Sequence, residues 1–246
     1  MTKLSVNVNK VATLRNTRAL GIPSPLRASQ LCLEAGADGI TVHPRPDQRH
    51  IRPHDVDEIA ELLRSYPGAE FNIEGNPFQE YMEHARKHRP TQCTLVPDSP
   101  DAFTSDQGWD IAAESDRLRE VIRELHDLGC RVSLFMDAIP ERIPLVAAIG
   151  ADRIELYTEP FASAFAAGRP EQAIAAFAET AREAARCGLG VNAGHDLNLD
   201  NLPTFLAEVP DVLEVSIGHA LIADALELGI VETVRRYRAI ARKERG

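Results

Sequence analysis

Basic residues, cysteines and long apolar runs are all scarce in this sequence. Its 27 lysines and arginines stand against 37 acidic residues, and the formal net charge of −10 argues against general binding to nucleic acid. The four cysteines lie far apart in apolar or helical contexts, which favours buried free thiols over a disulfide framework. No apolar run approaches the roughly 20 residues that span a membrane, and the first residues lack a secretory signal pattern. We therefore expect a cytoplasmic protein without a membrane partner.

Linkers and low-complexity tracts are absent as well, so we expect one domain over residues 1–246. Eight short β-rich runs recur along the chain, and a helical pattern follows each of them. The runs are LSVNVN, GITVH, EFNIEG, QCTLVP, RVSLFMD, RIELYT, GVNAGH and EVSIGH. Eight strands alternating with helices over such a length are typical of a TIM (β/α)8 barrel. An open doubly wound sheet would be favoured by a glycine-rich turn after the first strand, which NVNKVATLRNTR lacks.

Two helix starts are predicted, and each is marked by a polar residue that directly precedes a proline. Ser24-Pro25 and Asn76-Pro77 both predict an N-cap followed by proline in the first turn. Gly129 stands where a residue just past a helix end belongs.

The two faces of the predicted strands differ sharply, because side chains alternate between faces. One face is apolar on nearly every strand, as expected where a barrel backs onto helices. The other face carries Ser5, Asn7, Asn9, Thr41, His43, Asn72, Glu74, Ser133, Asp137, Glu155, Tyr157, Asn192 and Ser216. Any one of these could be a hydrogen-bonded core residue. As a set that clusters towards the strand ends, they predict a ligand site at the C-terminal mouth of the barrel.

The stretch ITVHPRPDQRHIRPHD concentrates titratable residues at the end of the second strand. Arginine can bind a phosphate in a fork geometry and histidine titrates near neutrality, so this segment suits a phosphate clamp beside an acid/base residue. A metal site at His43, His50 and His54 is disfavoured because no HxH or HExxH spacing accompanies them. A Schiff-base aldolase would need a strand-end lysine, and the alternation points Lys10 away from Asn7.

Several ordered motifs carry a family resemblance: SVNVNKVATLRNTR, GADGITVHPRPDQRHI, FNIEGNP, VNAGHDLN and SIGHALI. With them the chain resembles the pyridoxine 5′-phosphate synthase family of deoxyxylulose-phosphate-dependent vitamin B6 biosynthesis, essentially from end to end. The resemblance implies a TIM barrel with extra helices. It implies condensation of 3-amino-2-oxopropyl phosphate with 1-deoxy-D-xylulose 5-phosphate, without metal or organic cofactor. It also implies a homo-octamer.

The same resemblance implies roles for individual residues. His43, Glu74 and His195 match the catalytic acid/base residues, and Glu155 matches a carboxylate that stabilises charge in the transition state. The substrate contacts that it implies are Asn7, Arg18, Arg45, His50, Thr104, Asp196, Gly218 and His219. Gly218 and His219 also stand at a predicted helix start, where free N–H groups favour an anion.

Departures from the commoner family pattern suggest a variant branch. Asn9-Lys10 stands where many members have an Asp-His pair, and Asp196 stands where glycine is common.

Two other interpretations of the function stay open. One is a different phosphosugar aldolase or isomerase on the same barrel, and the other is a non-catalytic phospholigand-binding protein. The segment from Pro97 to Gly108 is a candidate for a loop that closes over the site.

Overall fold

The eight predicted strands form a closed parallel barrel in the computed structural model, which describes residues 1–99 and 104–243. The strands are β1 (Lys3–Asn7), β2 (Gly39–Val42), β3 (Glu70–Gly75), β4 (Gln92–Leu95), β5 (Arg131–Met136), β6 (Arg153–Tyr157), β7 (Gly190–Gly194) and β8 (Val212–Ile217). Each strand pairs with its neighbours in the chain, and β1 closes the barrel on β8. The prediction of a TIM barrel is confirmed.

Helices follow every strand and surround the barrel. They are α1 (Asn9–Asn16), α2 (Pro25–Glu34), α3 (Pro53–Leu63), α4 (Tyr81–His88), α5 (Ile111–Asp127), α6 (Ile143–Ala148), α7 (Glu159–Ala166), α8 (Glu171–Arg186), α9 (Leu202–Glu208), α10 (His219–Leu228) and α11 (Ile230–Ala241). Two helices follow each of β1, β6 and β8, which supplies the expected extra helices. Within the described ranges, no helix combines the length and apolarity needed to cross a membrane.

Helix boundaries follow the predicted caps in two of three places. The Ser24 hydroxyl accepts a hydrogen bond from the backbone N–H of Arg27, and Gly129 has a φ of 83° just past the end of α5. The helix start predicted at Asn76-Pro77 is wrong. The Asn76 side chain instead closes a turn by accepting from the backbone N–H of Phe78, 2.9 Å away, and α4 begins only at Tyr81.

Polar side chains inside the barrel satisfy one another across strands. The hydroxyls of Ser5 and Thr41 lie 2.6 Å apart. The Asn72 amide donates to the Thr41 hydroxyl over 3.3 Å and accepts from the Thr94 hydroxyl over 3.0 Å. All four residues are buried, and buried polar groups persist when they are hydrogen-bonded. This belt therefore explains part of the polar inner face without any ligand.

The N-terminal end of the barrel is filled by a second polar network that the sequence did not reveal. Gln92 donates to the Glu214 carboxylate over 3.2 Å, and its side-chain oxygen accepts from Arg131 and Asn192. Arg131 also forms an ion pair with Glu70. Because the protein's own side chains occupy this end, the open end is the C-terminal mouth.

Candidate active site

A cavity of about 550 Å³ opens at the C-terminal ends of the strands, where the polar inner faces predicted a ligand site. Its wall includes every predicted site residue except Arg18. Those residues are Asn7, His43, Arg45, His50, Glu74, Thr104, Glu155, His195, Asp196, Gly218 and His219. Residues far apart in the chain therefore converge on one space, as the barrel topology requires.

Arg18 is the predicted site residue that this chain does not bring to the cavity. It is exposed in the turn that follows α1. Arg15, one turn earlier, points inwards instead and forms a buried ion pair with Asp55. Sequence reasoning missed Arg15 because nothing local distinguishes it from the exposed arginines nearby.

His43 and Glu74 lie side by side on neighbouring strands. His43 follows the last residue of β2, and its Nδ1 is 3.9 Å from Oε2 of Glu74, which is too long for a hydrogen bond. Burial lowers the pKa of His43 well below its ordinary value, and the nearby positive charge of Arg45 adds to this. Burial also raises the pKa of Glu74 to about 8, with a further contribution from Asp98. Near pH 7 the pair is therefore a neutral imidazole beside a largely protonated carboxyl group.

The Glu74 carboxyl group is oriented from two sides. The Asn7 side chain on β1 donates to Oε2 over 3.3 Å, and the Ser216 hydroxyl on β8 lies 3.5 Å from Oε1. Both neighbours come from inner-face positions of the barrel. Glu74 therefore has limited freedom to rotate away from the cavity.

His195 is held in an unusual backbone conformation at the end of β7. Its φ is +80° and that of Asp196 is +58°, in the left-handed region that non-glycine residues seldom adopt. The imidazole ring packs between Phe135 and Tyr157, with ring centroids 5.4 and 5.3 Å away. Burial lowers the pKa of His195, and the negative charge of Asp196 opposes this. Strain of this kind persists where the surroundings enforce it, and it is common at functional sites.

Glu155 lies at the bottom of the cavity. It is 2% exposed, and its Oε2 has no hydrogen-bond partner among the described residues. Burial raises the pKa of Glu155 well above its ordinary value, and the carboxyl groups of Glu74 and Glu214 add to the effect. A carboxyl group kept neutral in this way can donate a hydrogen bond to a ligand.

Gly194 leaves the space that Glu155 occupies, which gives a first testable expectation. A Cβ at Gly194 would lie 2.5 Å from Oε1 of Glu155, so alanine would displace the carboxyl group. We expect Gly194→Ala to lower kcat by about tenfold to a hundredfold, because small misplacements at a reacting centre are costly. Gly68→Ala is the matched control, since a Cβ there meets nothing within 4 Å. Equal kcat values for the two variants would contradict this placement of Glu155.

The segment after β2 supplies a cationic corner. Arg45 is buried and forms an ion pair with Asp98, whose carboxylate also accepts from the Ser105 hydroxyl over 2.7 Å. His50 accepts the backbone N–H of Ile51 at Nδ1 over 2.9 Å, so its neutral ring carries the proton on Nε2. Burial lowers the pKa of His50 to about 4, with contributions from Arg45 and Lys10.

Asp98 is a site residue that sequence reasoning missed, because its partner Arg45 is 53 positions away in the chain. Thr104 lies on the cavity wall. In the proposed closing segment, residues 100–103 fall outside the described residues.

The loop after β8 forms another part of the wall, separated from the β2 segment only by β1. Gly218 precedes α10 and His219 is its first residue, so backbone N–H groups of the first helical turn lie beside the cavity. A Cβ at Gly218 would come within 3.2 Å of the Asn7 side chain, so Asn7 would have to shift to admit a larger residue. The backbone of Asp196 is held by a hydrogen bond from Asn201 to its carbonyl oxygen over 3.0 Å.

The predicted orientation of Lys10 is wrong. Strand alternation predicted that it points away from the site, but β1 ends at Asn7 and α1 begins at Asn9, so the alternation no longer applies. Lys10 lies in the first turn of α1 on the exposed part of the cavity wall. Across residues 1–99 and 104–243, no three histidine, cysteine or acidic side chains are grouped to hold a metal ion.

Comparison with known proteins places this geometry in a family. A solved structure of tryptophan synthase from M. tuberculosis superposes with a TM-score of 0.67 at 12% identity, covering 99% of this chain and 93% of that one, which reflects the shared barrel fold. Pyridoxine 5′-phosphate synthase of Albidiferax ferrireducens is 58% identical over 96% of each chain. The enzyme of that name from Xanthomonas campestris is 54% identical over 97% of this chain and 96% of its own. The sequence model of the pyridoxal phosphate biosynthesis protein PdxJ matches residues 4–243, and the chain belongs to the PdxJ family.

Proposed function

We propose that this chain is a pyridoxine 5′-phosphate synthase, which condenses 3-amino-2-oxopropyl phosphate with 1-deoxy-D-xylulose 5-phosphate and releases phosphate and water. The observation that carries the proposal is the convergence of His43, Glu74 and His195, from three strands, on one cavity. Closing a pyridine ring from two open-chain phosphates needs imine formation, several proton transfers and the loss of water and phosphate. Proton-transfer groups on different walls can act at different positions of such a substrate.

Two walls of the cavity suit the two phosphate groups. Arg45 and the Nε2–H of His50 offer donors to the deoxyxylulose phosphate, and Thr104 also lines the cavity. Arg45 must then turn from Asp98 towards the ligand. The N-terminal turn of α10 at Gly218 and His219 suits the aminoketone phosphate, with Asn7 and the backbone at Asp196 beside it.

Substrate charge sets the protonation states for the chemistry. Burial lowers the pKa of His195, so the ring is neutral near pH 7 before substrate binds. A bound phosphate dianion favours the protonated imidazole and raises that pKa, so His195 becomes a proton donor only when substrate is present. His43 and deprotonated Glu74 accept protons, while the neutral carboxyl group of Glu155 donates a hydrogen bond to oxygen that gains negative charge.

Omitting one substrate at a time tests the proposal against its alternatives. We expect ring absorbance and free phosphate to increase together only when both phosphates are present. Conversion of deoxyxylulose phosphate alone would favour an aldolase or isomerase instead. Calorimetric binding of both phosphates without product would favour a binding protein.

We further propose that the chain acts as a single-domain cytoplasmic enzyme in a homo-oligomer, an octamer by family resemblance, without metal or organic cofactor. The segment after α1 supports assembly, because Leu20 and Ile22 are 66% and 65% exposed beside Arg18. An interface between copies would bury these apolar side chains and would place Arg18 near another copy. Light scattering measures the number of subunits.

A further inference from the structure

We propose that Asn9 is a positioning residue of this site, whose side-chain carbonyl holds the main chain of His43 beside Glu74. This inference deepens the proposed synthase function and rests on it. Asn9 Oδ1 accepts a hydrogen bond from the backbone N–H of His43 over 2.9 Å. Because an N–H group faces the amide, the oxygen is the atom that must point towards His43.

The hydrogen bond fills a gap where the strand ladder ends. The last bond from β1 to β2 runs from the backbone N–H of Val8 to the carbonyl of Thr41. His43 lies beyond it and is 7% exposed, so its N–H would lack a ladder partner in a buried place. A buried N–H left without a partner is costly, and Asn9 supplies the acceptor.

The same asparagine also belongs to a series of hydrogen bonds that leads through Asn7 to Glu74. The backbone N–H of Asn9 donates to Oδ1 of Asn7 over 3.0 Å, and Nδ2 of Asn7 donates to Oε2 of Glu74 over 3.3 Å. That oxygen faces Nδ1 of His43 across 3.9 Å, so the hydrogen bonds of Asn9 position both groups of the pair. Gly218 lies beside Asn7, where a Cβ would come within 3.2 Å of that side chain. Loss of the Asn9 carbonyl would therefore change the separation of His43 and Glu74.

Aspartate at position 9 separates geometry from charge. It can accept the same hydrogen bond, but it adds a negative charge next to His43. The titratable and charged groups that face the His43 ring are Glu74 on β3, Arg45, Arg49 and His50 on the segment after β2, and His195 after β7. A new carboxylate among them favours the protonated imidazole.

The test compares Asn9→Ala with Asn9→Asp by the pH profile of kcat and by NMR titration of the His43 ring. We expect Asn9→Ala to lower kcat by about tenfold to a hundredfold at every pH. We expect Asn9→Asp to keep kcat within about threefold above pH 8, while the pKa of His43 increases by about one unit in the NMR titration. Gln30→Ala, which removes only an exposed hydrogen bond to Glu34, is the control.

Three outcomes would overturn the inference: kcat of Asn9→Ala within twofold of the wild type, equal kcat loss in both variants above pH 8, or an unchanged His43 titration in Asn9→Asp. If Asn9→Ala does not fold, the Asn9→Asp titration decides. If the wild type makes no product but His43 still titrates differently in Asn9→Asp, the synthase function fails while the contact between Asn9 and His43 stands.

Discussion

Replacing Glu74 with glutamine is expected to lower the rate of ring formation by a factor of about 10²–10⁴, the usual contribution of a positioned acid/base group. Glutamine keeps the size of the side chain, and its amide oxygen can still accept from Asn7 while its NH2 group donates to the Ser216 hydroxyl. It removes only the ability to exchange a proton. The loss should therefore appear in kcat, while KM for both phosphates changes little.

The pH dependence gives the same variant a second readout. The pKa of Glu74 is raised to about 8, so the carboxylate that acts as a base accumulates only as the pH approaches that value. Wild-type activity should increase with pH through this region, and Glu74→Gln should lose that limb. The folded state holds this proton more tightly than the unfolded chain does, so the protonated carboxyl group adds to the free energy of unfolding. That contribution is present at low pH and is lost as the pH rises through about 8.

Glu214→Gln is the matched control for Glu74→Gln. Glu214 is also a fully buried carboxyl group with a raised pKa, but it lies at the opposite end of the barrel in a hydrogen bond with Gln92. We expect its replacement to leave kcat within about threefold of the wild type, since Glu214 does not line the cavity and acts on Glu155 only through its charge. A similar loss of activity in both variants would show that Glu74 acts through the barrel core and not as a base.

Replacing Arg15 with alanine is expected to lower the free energy of unfolding by about 3–5 kcal/mol, because a buried carboxylate then loses its cation. Arg15 and Asp55 form a bidentate pair whose side chains are 7% and 1% exposed. Arg15 also donates to the carbonyl of His50 over 3.2 Å, and Asp55 accepts the backbone N–H of Arg52 over 2.8 Å. The pair thus connects α1 to the segment that carries the phosphate-binding residues.

Urea denaturation measures this effect, with Arg236→Ala as the control. Arg236 pairs with Glu232 on the exposed face of α11, where both side chains are about half exposed. Exposed pairs of this spacing contribute about 0.3–0.5 kcal/mol, so the control should differ little from the wild type. A loss below about 1 kcal/mol for Arg15→Ala would show that water reaches Asp55 and replaces the arginine.

The strand order and the polar mouth of the barrel were predictable because both depend on local alternation. A period of two places Asn7, His43, Glu74 and Glu155 on inner faces, and barrel closure then brings the inner faces together. Alternation fails where a strand ends, which is why Lys10 on α1 was placed incorrectly. The helix start at Asn76 was wrong because an asparagine can close a turn as readily as it caps a helix.

Other contacts had no local signal at all. Gln92 and Glu214 meet across the barrel from positions 122 residues apart, and Arg45 meets Asp98 in the same long-range way. Such pairs depend on how the closed sheet juxtaposes strands, and that register emerges only after folding. The hydrogen bond between Asn9 and His43 is another such long-range contact, since the two residues are 34 positions apart.

The most direct test of the central claim is a crystal structure of Glu74→Gln with both phosphate substrates bound. The variant should keep the cavity intact while it slows the chemistry. We expect two phosphate groups in one cavity, one bound by Arg45 and His50 and the other at the N-terminal turn of α10 beside Gly218. Phosphate groups bound elsewhere, or a cavity that admits only one substrate, would contradict the account.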